Sequence, residues 1–310
     1  MSEMQHNDRC SMKIYIVSMC AIILWGLSYI WCDKLIDMGI PVEYFIFVRT
    51  LVGGCILFAA NMIAGRSVRI KRKDFPVFLL LALCEPFIYF TCETYGLKLT
   101  ESPTYSALIV SSTPIISVAA GMLFFKEKMH ILNILGILAC LGGLVMVTLC
   151  AEQTGEHFIF GVILLMVAVF AEVGHASCTK PLSAHYEPIV IVMYQFLIGS
   201  VFLLPLFVGR GLRNFDAELY LSWKVFRPIL CLALFCSSIA FSLWVSSIKH
   251  LGVARSSIFL ALVPITTALV GMFTGREMLS ALQWVGVAVA ILGVIVSQIC
   301  FKRKAADKDR

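Results

Sequence analysis

The sequence predicts an all-α polytopic membrane protein of ten transmembrane helices, arranged as two inverted five-helix repeats. Three observations carry this prediction. The composition is too apolar for a water-soluble core, ten apolar runs have the length that crosses a bilayer, and the two halves of the chain match in register. Of 310 residues, 60% are hydrophobic and 14% charged, and the mean hydropathy is +0.91. Soluble domains run nearer ~45–50% apolar and ~25% charged.

A membrane helix needs about 20 mostly apolar residues. The runs that meet this are 14–32, 43–64, 75–97, 103–125, 131–150, 158–180, 188–208, 226–249, 253–274 and 281–301. The longest connection, 209–225, is polar enough to lie at the membrane surface, and no stretch could form a soluble domain. The expected organisation is an N-terminal tail at 1–13, a first repeat at 14–150, a connecting loop at 151–157, a second repeat at 158–301 and a basic tail at 302–310. No small-residue cleavage site follows a short apolar region near the N-terminus, so the first run is read as a retained span. The 12 cysteines fall mostly singly inside apolar runs, as at Cys20, Cys55, Cys140, Cys231 and Cys300. They are read as small hydrophobes; no CxxC spacing suggests a metal, and no cofactor is expected.

The net charge of +6 sits in short loops and tails, where it sets orientation rather than marking a nucleic-acid surface. Arg66, Arg69, Lys71, Arg72 and Lys73 follow span 2, Lys126 and Lys128 follow span 4, and Lys302, Arg303, Lys304, Lys308 and Arg310 end the chain. With an even number of spans these share one side with Arg9 and Lys13, which places both termini in the cytoplasm of a bacterial inner membrane. Arg210, Arg213, Lys224 and Arg227 fall on the opposite side, against the trend.

The internal repeat is the most informative feature after hydropathy. At a shift of 150, Ser106 meets Ser256, Pro114 meets Pro264, Gly121-Met122 meets Gly271-Met272, and Lys126-Glu127 meets Arg276-Glu277. Gly136 and Gly143 likewise meet Gly286 and Gly293, while Cys140 meets Ala290; small residues at that spacing are read as helix packing, with a homodimer interface as the alternative to a monomer. At 151, Phe90 meets Phe241 and Lys98 meets Lys249; at 146, Lys34 meets Lys180 and Gly53 meets Gly199. Five spans per copy is odd, so the second copy enters the membrane in the opposite sense. Inverted repeats of this kind bind a substrate between the halves near the midplane and expose it to each side in turn.

These residues also carry a resemblance. WGLSYI at 25–30, Arg49 within span 2, YGLKL at 95–99, ALIVSSTP at 107–114 and FFKEK at 124–128 are answered by SSIKHLGVARSSIFLALVP at 246–264 and GRE at 275–277. The pattern resembles the EamA-type branch of the drug/metabolite transporter superfamily over about residues 14–300. The resemblance implies secondary transport, commonly export, of amino acids, other small metabolites or drugs. It does not name the substrate, and AEVGHASCTK at 171–180 departs from the family's usual small and aromatic residues in span 6.

Glu85 and Glu93 are the residues hardest to explain as membrane structure. They are eight apart with Tyr89 midway, which puts all three on one helix face that Gly96 continues. An acid within the hydrocarbon costs about 2.5–3.5 kcal/mol, so this face should look into the bundle. It forms either a cavity wall that binds a cationic group or exchanges protons, or a structural pair, for instance with Arg49. Pro86 removes one backbone donor and frees a carbonyl nearby. At a shift of 151, Glu93 meets Trp244 and Glu85 meets Cys236, which suits a ligand with one cationic or polar end and one flat apolar end. Trp244 could equally be packing.

Span 6 offers Glu172 and His175 on one face, continued by Thr179, as a cavity pair, a proton relay or a bundle-closing hydrogen bond. Lys180 and Pro181 are expected at the span's end, with Lys180 reaching to the headgroups. Arg49 should pair with a carboxylate or carbonyls, in a structural or gating role. Trp25, Ser28 and Cys32 share a face of span 1 beside Tyr29, in a cavity or in ordinary packing. The matched Pro114 and Pro264 mark gate hinges or static kinks. An intramembrane serine protease is the competing class, but Gly26-Leu27-Ser28-Tyr29 resembles its motif only superficially, and no HExxH or P-loop spacing occurs. A sensor lacks an output segment. The expected mechanism is alternating access coupled to protons through Glu93, with or without Glu172 and His175, or coupled to nothing but the substrate gradient. The expected partners are a small-molecule substrate and the lipid bilayer.

Overall fold

Within hydrocarbon, water cannot satisfy backbone groups, so each apolar run closes its own hydrogen bonds as a helix. The computed structural model describes residues 2–125, 131–148, 157–213 and 215–273, with 280–282, 284–286, 288–289, 291–293 and 296. Lys126, Glu127, Lys128, Arg276, Glu277, Ala290, Cys300, 151–156 of the connecting loop and the tail at 302–310 lie outside the described residues.

The chain is all-helical, as the hydropathy requires. Spans 1 and 2 are α1 (Ser2–Asp37) and α2 (Val42–Ile63). The polar N-terminal segment, expected as a tail, continues α1 back to Ser2. Span 3 is α3 (Phe75–Ala82), a π-type segment (Leu83–Ile88) and α4 (Tyr89–Thr100). Span 4 is α5 (Pro103–Val110) and α6 (Thr113–Phe125), and span 5 is α7 (Ile131–Thr148). Spans 6 and 7 are α8 (Phe158–Leu182) and α9 (Pro188–Leu206). The loop that follows carries one turn, α10 (Ala217–Tyr220). Span 8 is α11 (Trp223–Cys231), a π-type segment (Leu232–Ile239) and α12 (Ala240–Leu251). Span 9 is α13 (Val253–Ser257), a 3-10 segment (Ile258–Leu262) and α14 (Val263–Phe273), and the apolar helical stretch Trp284–Gly293 belongs to span 10.

Both copies break at equivalent places. The π-type segments of spans 3 and 8 lie at matched positions, and the interruption at Ser111-Ser112 of span 4 corresponds to the 3-10 segment of span 9. Pro114 and Pro264 each sit at the second residue of the helix resuming after the break, where a missing backbone N–H costs no helical bond. They start helices rather than kinking them from within. The turn out of span 3 uses Glu101 in the left-handed region at φ 53°, and the equivalent turn after span 8 uses Gly252 at φ 90°.

The packing repeats too. Spans 2 and 7, which are repeat partners, lie against each other through α2 and α9. Span 3 packs on span 6 through α4 and α8, as span 8 packs on span 1 through α12 and α1. Gly53 and Gly199 admit the broken segments of the opposite half. A Cβ on Gly53 would lie 3.3 Å from the Ala233 carbonyl and from Ser237 Cβ; one on Gly199 would lie 2.4 Å from the Pro86 ring. Gly136, Gly143, Gly286 and Gly293 are all buried, and Cys20 and Cys55 are exposed on the outside. The outer surface also carries exposed Phe170, Val201 and Leu123, an apolar belt of the kind a bilayer covers.

Candidate functional site

The broken spans leave a cavity between the halves, lined by both polar and aromatic side chains. Span 1 contributes Trp25, Ser28 and Tyr29, and span 2 contributes Arg49. Span 3 contributes Glu85, Tyr89, Phe90 and Glu93, and span 6 contributes Glu172. Opposite them stand Cys236, Ser237 and Phe241 of span 8, with Val110, Leu260 and Val263 from the breaks of spans 4 and 9. The face drawn by Glu85, Tyr89 and Glu93 thus looks inward. Gly96 does not continue it into the cavity. A Cβ there would meet Leu165 at 2.5 Å, so Gly96 is where α4 presses onto α8.

The break in span 3 positions the acids. Glu85 has φ −148° and ψ 124°, an extended conformation inside an otherwise helical span, and the cis Glu85–Pro86 peptide follows it. On the intact α4, the Tyr89 hydroxyl donates to Glu93 Oε1 at 2.9 Å. The Tyr29 hydroxyl is buried beside the same cavity, next to Glu93 and Tyr89. Cys32 lines a narrow recess next to the cavity together with Ser28, Tyr29 and Glu93. The Ser28 hydroxyl donates to the Trp25 carbonyl at 2.7 Å within its own helix.

Arg49 departs from the expected pairing. Among the described residues no carboxylate lies within ion-pair reach of its guanidinium. The group is 3% exposed, stands 3.6 Å over the centre of the Phe90 ring and donates from Nη1 to Cys32 Sγ at 3.6 Å; its Nε has no partner. A ring face and a thiol are weak substitutes for a carboxylate, so the charge is held beside the cavity without a carboxylate in direct contact.

Aromatic rings close the other walls. Trp25 donates from Nε1 to the Cys236 carbonyl at 3.2 Å and meets Phe241 edge-on at 5.0 Å. Phe90 and Phe241, the pair matched by the repeat, both line the cavity with centroids 5.8 Å apart. Trp244 does not line it. It is fully buried behind Trp25, with ring centroids 5.2 Å apart, and its Nε1 has no partner.

His175 lies behind the wall as well, fully buried. Its Nδ1 is 3.2 Å from Glu85 Oε2 and 3.6 Å from Glu172 Oε2, while its Nε2 is 3.3 Å from Gln195 Oε1 and 3.4 Å from Thr179 Oγ1. These contacts tie the broken span 3 to span 6, and Glu85, Glu172 and His175 are the described residues grouped closely enough to ligate a metal. Lys180 does not extend to the headgroups. Its Nζ donates to the Ile248 carbonyl near the end of α12 at 3.2 Å. Pro114 and Pro264 stand at the breaks beside the cavity rather than in its lining.

Sequence reasoning missed Gln195 and the 3-10 segment carrying Leu260. A lone amide in the apolar run of span 7 was a readable signal for the first; Pro264 marked a break in span 9 but not that it brings Leu260 to the cavity.

Comparison with known proteins agrees with this architecture. The model of the EamA-like transporter family matches twice, over residues 12–149 and 159–298. An uncharacterized transporter of Bacillus subtilis (strain 168), YetK, is 26% identical over 302 residues, spanning 96% of this chain and 89% of that protein. An uncharacterized transporter of Archaeoglobus fulgidus is 24% identical over 285 residues, spanning 92% and 98%. A protein of Streptantibioticus cattleyicolor described as a probable terminal-alkyne amino-acid exporter is 26% identical over 247 residues and 80% of each chain. One crystal structure superposes with a TM-score of 0.78 over 93% of this chain and 99% of its own, at 16% identity, which speaks to the fold alone. With seven helices among the described residues long and apolar enough to cross a membrane, and a family match in each half over nearly its whole length, this chain belongs to the EamA-like transporter family.

Proposed function

We propose that the protein exports small zwitterionic metabolites of the amino-acid type, held between Arg49 and Glu93 and passed across the membrane by alternating access. One observation supports this reading above the others: a buried guanidinium and a half-buried carboxylate line the same cavity without forming an ion pair with each other. Each would carry a charge at a desolvation cost unless something placed between them supplied both opposite charges. A substrate carboxylate answers Arg49, its ammonium answers Glu93, and an apolar side group lies against Trp25, Phe90 and Phe241. The name of the Streptantibioticus relative points to the same chemical class. Proton exchange at Glu93, when the ammonium leaves, supplies a route for coupling. The matched breaks at Pro114 and Pro264 are the flexible points about which each half reopens. Both termini lie in the cytoplasm of a bacterial inner membrane.

The test is ligand-induced thermal stabilisation of the detergent-purified protein. Apolar amino acids are compared with their amides, which lack the carboxylate, and their N-acetyl forms, which lack the ammonium. The proposal expects stabilisation by the parent compounds only, and its loss in Glu93→Gln. Equal stabilisation by all three forms would remove Arg49 and Glu93 from recognition.

A further inference from the structure

We propose that Glu85, Glu172 and His175 form a binding site for a divalent first-row transition-metal ion, of which Zn²⁺ is the type, at the junction of the broken span 3 and span 6. Glu85 is 1% exposed, Glu172 4% and His175 0%. Glu85 Oε2, Glu172 Oε1, His175 Nδ1 and Gln195 Nε2 all lack hydrogen-bond partners. Two carboxylates buried this deeply need a proton or a positive charge beside them, and Arg49 lies within ion-pair reach of neither.

The histidine tautomer decides what supplies that charge. Nε2 faces Gln195 Oε1, which can only accept, so Nε2 carries the ring proton. In the neutral ring Nδ1 then turns a lone pair toward two carboxylate oxygens, at 3.2 and 3.6 Å, with neither aligned as a hydrogen bond. Three electron-rich atoms aimed together repel one another unless a cation lies among them. Tetrahedral zinc with nitrogen and oxygen ligands at about 2.0–2.2 Å sets its donor atoms about 3.3–3.6 Å apart. The two histidine edges already have that spacing, and all three donor atoms lie within 4.8 Å of one another, so a small carboxylate rotation closes the third. The imidazole selects a transition metal over Mg²⁺ or Ca²⁺, which take oxygen ligands. Gln195 is the outer partner that metal-bound histidines use to fix their ring. Glu85 and Glu172 also line the cavity, so a fourth position opens toward it. The ion would clamp the irregular Leu83–Ile88 segment to α8. No sequence spacing announces the site, because its ligands come from two distant spans.

The experiment titrates the metal-free, detergent-purified full chain with Co²⁺ and reads the visible d–d spectrum, then displaces Co²⁺ with Zn²⁺. The expected result is one Co²⁺ per chain with the intense bands of tetrahedral nitrogen–oxygen ligation, displaced by Zn²⁺ and not by excess Mg²⁺ or Ca²⁺. Glu172→Gln and His175→Gln should abolish the spectrum, Gln195→Leu should weaken binding about 10- to 100-fold, and the outward-facing Phe170→Ala should leave it unchanged. Absence of stoichiometric binding to wild type would overturn the proposal, and so would a thiolate charge-transfer band, which would put the metal on cysteine. Should His175→Gln fail to fold, the wild-type spectrum and the Glu172→Gln variant still decide. Binding that survives Glu172→Gln with an unaltered spectrum contradicts the site.

Discussion

The pair Gly53 and Gly199 turns the repeat into a quantitative prediction. Adding one methyl at Gly199 places its carbon 2.4 Å from the Pro86 Cγ and Cδ. Ordinary carbon contacts are about 3.5–4.0 Å. The Pro86 ring must therefore retreat by more than about 1 Å, in a segment fixed between α8 and α9. Overpacking of this kind costs about 1–3 kcal/mol. The better helix propensity of alanine returns about 0.5–1 kcal/mol. At Gly53 the same methyl meets the Ala233 carbonyl and Ser237 Cβ at 3.3 Å, a misfit of a few tenths of an ångström that the propensity gain offsets. Gly199→Ala should thus be less stable than Gly53→Ala by about 1–3 kcal/mol, although both replace a mid-helix glycine at equivalent positions. Thermal unfolding of the purified protein, followed by tryptophan fluorescence, measures the difference. Displacing Pro86 also moves Glu85, so Gly199→Ala should weaken ligand stabilisation more than Gly53→Ala does. Equal midpoints for the two variants would refute the claim that the broken span 3 is seated on Gly199.

Further predictions follow from single contacts. Glu101→Gly should raise stability by up to about 1 kcal/mol in the same unfolding assay, because a glycine occupies the φ 53° turn without a Cβ penalty. Trp244→Phe should leave both stability and ligand binding within about 1 kcal/mol of wild type, since the lost N–H has no partner; Trp244→Ala should cost about 3–5 kcal/mol. Tyr186→Phe should speed hydrogen exchange at the Lys71 amide, which bonds the Tyr186 hydroxyl at 3.0 Å while that hydroxyl donates to Asp74 at 2.7 Å. Lys180→Met should cost about 1.5–3 kcal/mol by removing the charged donor from the Ile248 carbonyl, and moving the lysine to a headgroup-facing position should not restore it.

The spans were legible because hydropathy is a local property, and a run of about 20 apolar residues has few alternatives to a helix. The inward face of span 3 was legible for a similar reason, as an acid in the hydrocarbon has to face protein or water. The breaks were only half legible. Pro86, Pro114 and Pro264 mark three of them, but the π-type segment of span 8 contains no proline, and only its match to span 3 betrays it. What the sequence hides is which side chains meet across spans. The repeat pairs Glu93 with Trp244 in number, yet Trp25 stands between Trp244 and the cavity. Arg49 looked like a partner for an acid, but Phe90 lies under its guanidinium and the acids of span 3 sit beyond ion-pair reach. The His175–Glu85 contact joins residues on spans 3 and 6, and no local pattern encodes it.

The most direct test of the account is amino-acid counterflow in proteoliposomes reconstituted with the purified protein. Wild type, Glu93→Gln, Arg49→Gln and the outward-facing control Phe170→Ala are compared with an amino acid that stabilises wild type. The account predicts exchange by wild type and by Phe170→Ala, and loss of at least tenfold in rate for the Glu93 and Arg49 variants, as removal of a charge-assisted contact of ~1.5–3 kcal/mol implies. Exchange at the wild-type rate in both charge variants would contradict it, and the cavity between the halves would no longer be the place where substrate is held.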